Sequence, residues 1–282
     1  MAKSTASFGT AASLIVRNSS SAYDTVEKAS YTAQVSSLIL DFDRTGFHAD
    51  QIKPVMSPED MAVRRTLLQG LQRYAEMLEE ISGNHASDEL NTQVAGLGQQ
   101  LLSLSNTSAV QKMAPHATAT ELTAFTTGID ALGQFLIERK RRRALPGIMR
   151  EMQGPMEQIC ALLNMDLGMR PDSDGNGENG LRGQLWTEYT TLIDNQREFI
   201  RRGKIVSPAE RAAEIAKLPF LASQQRAADS ALATVQAALG DMAAAHRALQ
   251  KAPQGSGSFA GHVGDMIEDG RRIGEFYNSL KF

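Results

Sequence analysis

Apolar residues recur three and four positions apart along most of this chain. Leu67, Leu71, Tyr74, Leu78 and Ile81 form one such row, and Leu90, Val94, Leu97, Leu101 and Leu104 the next. Leu122, Phe125, Ile129, Leu132 and Leu136 follow, then Met149, Met152, Met156, Ile159 and Leu163. Leu232, Val235, Leu239 and Met242 lead to a last row of Phe259, Val263, Met266, Ile273, Tyr277 and Leu280. This spacing places one apolar stripe on one face of a helix, and each stripe needs another surface to cover it. No stretch alternates apolar and polar residues, and no Asn-Gly turn joins β-branched runs, so no strand is expected. The fold class that follows is all-α, an elongated antiparallel bundle of about seven to eight helices.

The punctuation between the stripes fixes where the rods end. From about Ala6 to Asp43 the chain reads as one long helix with small side chains, its stripe made by Ala22, Val26, Ala29, Ala33 and Leu40. Small residues let helices approach closely, which puts this segment inside the bundle or against a partner, and Gly46 ends it. Ser57-Pro58-Glu59-Asp60 and Ser207-Pro208-Ala209-Glu210 share one grammar. Each has a serine at N-cap, a proline at the first helical position and an acid facing the positive end of the helix dipole. Thr118 and Glu121 have capping-box spacing. Gly83-Asn84 separates two helices, with Ser87 or Asp88 restarting the second. Pro146, Gly154-Pro155 and Pro219 are expected to divide or kink the helices that carry them. Residues 172–183 form the clearest loop and 252–258 a Pro/Gly/Ser linker. One domain spanning 1–282 is expected, and any subdivision is expected across the acidic loop, between 1–171 and 181–282.

At 282 residues the chain is long enough to bury a substantial core without disulfides or metals. Its net charge of -3 gives no general attraction to nucleic acid, and aromatic residues, at 6%, are sparse for a base-stacking surface. Nucleic acid is therefore disfavoured as a partner. The single cysteine, Cys160, reads as a small buried hydrophobe. No run is apolar enough to span a membrane. Peripheral or lipid-anchored association stays open. The Ser/Thr/Ala-rich start fits the soluble part of a bacterial lipoprotein whose anchoring cysteine has been removed. That gives a preference for a bacterial periplasmic or envelope location over the cytoplasm.

Three places stand apart from the stripes: the acidic loop, the basic run and the long Ala/Ser/Thr-rich helix at the start. Asp172, Asp174, Asn176 and Glu178 alternate with glycine and serine in a pattern that resembles the first half of an EF-hand calcium loop, where side-chain oxygens converge on a hard cation. The resemblance stops there, since Asn179 and Gly183 stand where an apolar residue and a bidentate acid belong. The same composition describes a solvated connection, which is the favoured reading, and no other cofactor is indicated. Arg139, Lys140, Arg141, Arg142 and Arg143 form a basic run suited either to phosphate-bearing partners or to a solvated helix end. Met149, Met152 and Met156 make a methionine-rich face, either an adaptable groove for a partner or core filling. His246 continues an apolar stripe and reads as a hydrogen-bonded core residue. The five histidines have no metal-ligand spacing, and no nucleophile elbow or phosphate-binding loop occurs. The expected role is therefore a non-enzymatic helical interaction or scaffold protein. It would bind a protein partner or self-associate through helix faces. The alternatives are calcium or ligand binding by the 172–178 loop, and anionic-lipid or nucleic-acid binding by the basic run.

Overall fold

The computed structural model describes residues 2–83, 90–104, 108–138, 145–172, 174–177, 179–202, 207–251 and 257–279. Over these residues the chain is all-α, a bundle as the stripes require. The helices are α1 (Ala2–Thr45), α2 (Pro58–Gly83), α3 (Leu90–Leu104), α4 (Ser108–Met113), α5 (Ala119–Glu138), α6 (Leu145–Leu167), α7 (Gly180–Arg202), α8 (Pro208–Lys251) and α9 (Gly257–Ser279). A short 3-10 turn at Ala49–Gln51 follows α1, and Met169 and Asn179 pair in an isolated antiparallel bridge.

Local signals act as their chemistry dictates. Gly46 takes φ 71° and its N–H donates to the Phe42 carbonyl at 2.8 Å, closing α1. Thr118 and Glu121 form a reciprocal capping box: Glu121 Oε2 accepts from the Thr118 N–H at 2.7 Å, and Thr118 Oγ1 accepts from the Glu121 N–H at 3.3 Å. The Thr118 backbone N–H, then its hydroxyl, hold the Glu121 carboxyl below its ordinary value. Ser207 and Glu210 make the same box at the start of α8. Pro155 and Pro219 lie inside α6 and α8 without dividing them. Each proline removes the N–H that the fourth preceding carbonyl would accept. Those carbonyls belong to Glu151 and Ile215, both exposed residues.

The chain gathers into two compact units: Met1–Ser20, Pro58–Asp166 and Thr234–Glu275 make the first, and Ser21–Ser57, Leu167–Ala233 and Phe276–Phe282 the second. Neither is a continuous stretch, so no single point along the chain separates them, and the acidic loop lies within the second. The first unit's core is built from the stripes, including Leu67, Leu71, Ile129, Leu132, Leu163, Leu239, Met242 and Met266, all buried. Close helix approach is visible where α3 passes α5. A Cβ on Gly98 would lie 2.7 Å from the Gly133 carbonyl oxygen, and one on Gly133 2.9 Å from that of Gly98. Two polar clusters also lie inside this unit. Arg64 of α2 donates to both Asp166 oxygens, at 2.8 and 2.5 Å, in a buried bidentate pair. The other cluster centres on His246.

In the second unit the small-residue face of α1 is buried, and Asn195 of α7 hydrogen-bonds Ser37 of α1. Ala22, Tyr23, Val26, Ala29 and Ala33 of α1 are buried, as are Leu185 and Tyr189 of α7 and Ala228 and Leu232 of α8. Arg182 Nε donates to the buried Asp229 at 2.8 Å, tying α7 to α8, and the Gln225 side chain donates to the Trp186 carbonyl at 2.9 Å.

Candidate interaction surface

The second half of α1 carries two apolar faces. The inward face is the alanine-rich row. The other is Tyr31, Val35, Ile39 and Phe42, spaced four, four and three apart and therefore aligned on a single side of the helix. Tyr31, Ile39 and Phe42 are 58%, 61% and 57% exposed, which is unusual for three large apolar side chains in a row on one helix. Val35 between them is half-buried.

Neighbouring elements extend this face into two grooves. On one side, Val35, Ile39 and Leu40 join Phe199 of α7 and the stems of Glu214 and Lys217 of α8 around a groove of about 290 Å³. Its floor is held by specific bonds: Asn195 Nδ2 donates to Ser37 Oγ at 2.9 Å, and Gln196 Nε2 donates to Glu214 Oε2 at 2.8 Å. The bonds from Lys217, then Gln196, hold the Glu214 carboxyl below its ordinary value. On the other side, Lys28, Tyr31 and Thr32 meet Ile52, Lys53 and Pro54 around a cleft of about 660 Å³. That second wall is fixed to α1 by side-chain to backbone bonds. Gln34 exchanges two bonds with the Lys53 backbone, both 2.8 Å, and Glu27 accepts the N–H groups of Val55 and Met56 at 3.2 and 2.7 Å. The face is thus apolar, exposed and rigidly supported.

This face lies on the long N-terminal helix that the sequence places inside the bundle or against a partner. Met149, Met152 and Met156 are 0%, 4% and 0% exposed, which corrects their reading as a partner groove. Their spacing puts them on the core side of α6, where methionine's flexible side chain fills space between helices. The basic run of Arg139, Lys140, Arg141, Arg142 and Arg143 lies outside the described residues, as does Glu178 of the acidic loop. Asp172 Oδ1 accepts the N–H groups of Asp174 and Asn176, both at 2.9 Å, so it anchors the loop's own turns. Gly175 and Gly177 take φ 79° and 77° in those turns. The loop is closed by Met169 and Asn179, which exchange backbone bonds of 3.0 Å beside Gly168. Cys160 is buried, and burial pushes its thiol up to about 12, consistent with a packing residue.

His246 is fully buried and hydrogen-bonded on both ring nitrogens. Gln153 Nε2 donates to Glu157 Oε1 at 2.5 Å and Gln250 Nε2 donates to Gln153 Oε1 at 2.8 Å. The Gln153 oxygen therefore faces the imidazole, and His246 Nδ1–H donates to it at 2.8 Å while the Tyr74 hydroxyl donates to Nε2 at 2.7 Å. Arg247 pairs with Glu157 at the outer end of this chain of bonds. Burial lowers the imidazole to about 4, with the Glu157 charge opposing it, and burial pushes the Tyr74 hydroxyl well up. The site holds a neutral ring in place and links α2, α6 and α8.

One grouping was not legible from spacing. Asp241 of α8 meets His262 and Asp265 of α9, with donor atoms all within 4.8 Å of one another and His262 Nδ1 3.0 Å from Asp241 Oδ1. Burial, then the charges of Asp241 and Asp265, push the nearby Asp269 carboxyl up against the opposing Arg272. The i, i+3 pair on α9 was readable, but its partner comes from another helix. The Asp241–His262 contact pins α8 to α9.

No protein-family model matches the chain, and neither a curated protein nor a solved structure matches it.

Proposed function

We propose that this protein works by binding rather than catalysis, as a helical interaction protein whose contact surface is the Tyr31–Val35–Ile39–Phe42 face of α1. The observation that supports this reading is the exposure of Tyr31, Ile39 and Phe42 on one rigid helix face. Exposed apolar area disfavours the isolated state, by roughly 25 cal/mol for each Å² left in water. A row of three large side chains flanked by grooves therefore gains most when a helix of a protein partner covers it. Aromatic anchors seated beside grooves are the usual centres of such contacts.

The reading is tested by placing a photo-crosslinking phenylalanine analogue at Phe42 in living cells, with the same analogue at the exposed Thr123 of α5 as control. Discrete protein adducts at position 42, absent at 123 and lost when Ile39→Asp is added, are expected. No adduct at position 42, or the same adducts at both positions, overturns it.

A further inference from the structure

We infer that Asp241 of α8, with His262 and Asp265 of α9, forms a binding site for one divalent transition-metal ion, for which zinc is the best fit. The site is independent of the α1 face, since all three residues belong to the first unit.

The donor set selects the class of ion. Carboxylates alone would suit calcium or magnesium, which take oxygen ligands. The imidazole of His262 among them changes the preference, because a nitrogen donor beside carboxylates suits zinc and its neighbours in the first transition row. Charge points the same way. His262, Asp265 and Asp269 follow at i, i+3 and i+7 and so share one side of α9. The Asp269 side chain is 14% exposed, and Arg272 opposes it at 3.9 Å while giving its Nε to Glu268 at 2.9 Å. One shared guanidinium leaves a surplus of negative charge around Asp241, Asp265 and Asp269, which draws a cation to this side of the helix.

Geometry agrees with chemistry. A tetrahedral ion with bonds of about 2.1 Å keeps its donors about 3.4 Å apart. His262 Nδ1 and Asp241 Oδ1, at 3.0 Å, are already within a few tenths of an ångström of that spacing. The third donor belongs to exposed Asp265, and a turn of its side chain closes the remaining separations, which are all within 4.8 Å. The backbone beneath the ligands is held by the core. Met242 follows Asp241, Val263 follows His262 and Met266 follows Asp265, and all three of these neighbours are buried. The ligands are thus brought together before any ion binds. His262 and Asp241 are 36% and 26% exposed at their side chains, so an ion reaches them from water. It takes Nδ1, and the neutral ring carries its one hydrogen on Nε2 instead. Three protein donors leave the fourth position to water.

Isothermal titration calorimetry of the full chain, first stripped with a chelator, against zinc chloride at pH 7 tests the proposal. The variants are Asp241→Asn, His262→Ala and, as control, His48→Ala, whose imidazole lies on the exposed turn after α1. One zinc per chain is expected, bound at least about tenfold more weakly by either site variant and unchanged by His48→Ala. Calcium and magnesium are expected to bind at least about a hundredfold more weakly than zinc. Circular dichroism checks that each variant keeps its helix content. The Asp241–His262 bond also joins two helices, so the second measurement needs no variant. The His262 ring nitrogens are followed by NMR as one equivalent of zinc is added, and the Nδ1 resonance is expected to move. No zinc uptake, uptake indifferent to both site variants, calcium bound as tightly as zinc, or an unmoved Nδ1 resonance overturns the proposal.

Discussion

Acidification between pH 6.5 and 4 is where buried His246 will reveal itself. The folded imidazole sits near 4 because burial strips its hydration, while an exposed imidazole in the unfolded chain titrates near 6.5. Between those values the unfolded chain holds a proton that the folded chain does not. Stability therefore rises with pH across the window and is lost as pH falls through it. Above 6.5 the contribution is complete, and below 4 it is gone. Over that interval, at about 1.36 kcal/mol per pH unit, the loss amounts to about 3 kcal/mol. That is a large share of the roughly 5–15 kcal/mol that holds a typical domain folded. The groups facing the ring are the Tyr74 hydroxyl, Gln153 and, beyond it, Glu157 with Arg247. Burial alone would raise Glu157, but the bonds from Arg247 and Gln153 outweigh it and hold that carboxylate below its ordinary value. Glu157 therefore stays charged through most of the window. Urea unfolding followed by circular dichroism at successive pH values, on wild type and His246→Asn, is the assay. The variant starts less stable at pH 7, since Tyr74 and Gln153 lose bonds to the ring. Its stability then falls about 3 kcal/mol less on the way to pH 4. Imidazole nitrogen shifts follow the ring directly and should keep the neutral Nδ1–H form down to about pH 4. Parallel curves for the two proteins, or an imidazole titrating near 6.5, refute the reasoning.

The other packing claims are as open to test. Asp166→Ala leaves the buried Arg64 guanidinium without its bidentate acceptor and is expected to cost about 3–5 kcal/mol in urea unfolding, whereas Arg64→Met with Asp166→Leu is expected to cost far less. Gly98→Ala pushes a methyl against the α5 backbone at Gly133 and should destabilise by about 1–3 kcal/mol, although alanine is the better helix former. Gly168 takes φ 65°, and a Cβ there would lie 2.2 Å from the Asn179 carbonyl oxygen. Gly168→Ala should therefore cost about 2–4 kcal/mol, read by the fluorescence of Trp186 in the adjoining helix.

The fold was legible because most stripes answer to one rule, burial on one side of a helix. Leu67, Leu71, Tyr74 and Leu78 are buried as their spacing requires, while Ile81 at the end of the same row is 37% exposed. His246 and Cys160 were likewise assigned to packing by the stripes they belong to. The long N-terminal helix was legible as one that packs inside the bundle or against a partner, but its outer face was not, although the spacing of that face is as regular. Tyr31, Val35, Ile39 and Phe42 share α1 with the row of Ala22, Val26, Ala29 and Ala33. A helix with two apolar faces shows weak amphipathicity, so one face hides the other. Periodicity also says nothing about which face the core takes: the alanines pack inward because they allow closer approach, and the larger side chains are left outside. The methionine row is the opposite case: of its two readings, core filling is the one that the burial of Met149, Met152 and Met156 fits. Asp241 with His262 and Asp166 with Arg64 lie beyond any spacing rule, because each pair joins two helices.

The central claim is that the Tyr31–Phe42 face is kept for a partner and contributes nothing to the fold of a single chain. The most direct measurement is the unfolding free energy of Ile39→Asp with Phe42→Asp, taken at a concentration where the wild-type chain sediments as a monomer. Side chains exposed as these are should make the double variant equal to wild type within about 1 kcal/mol. A loss of about 3 kcal/mol or more would mean that both side chains are packed within the chain, and would contradict the account.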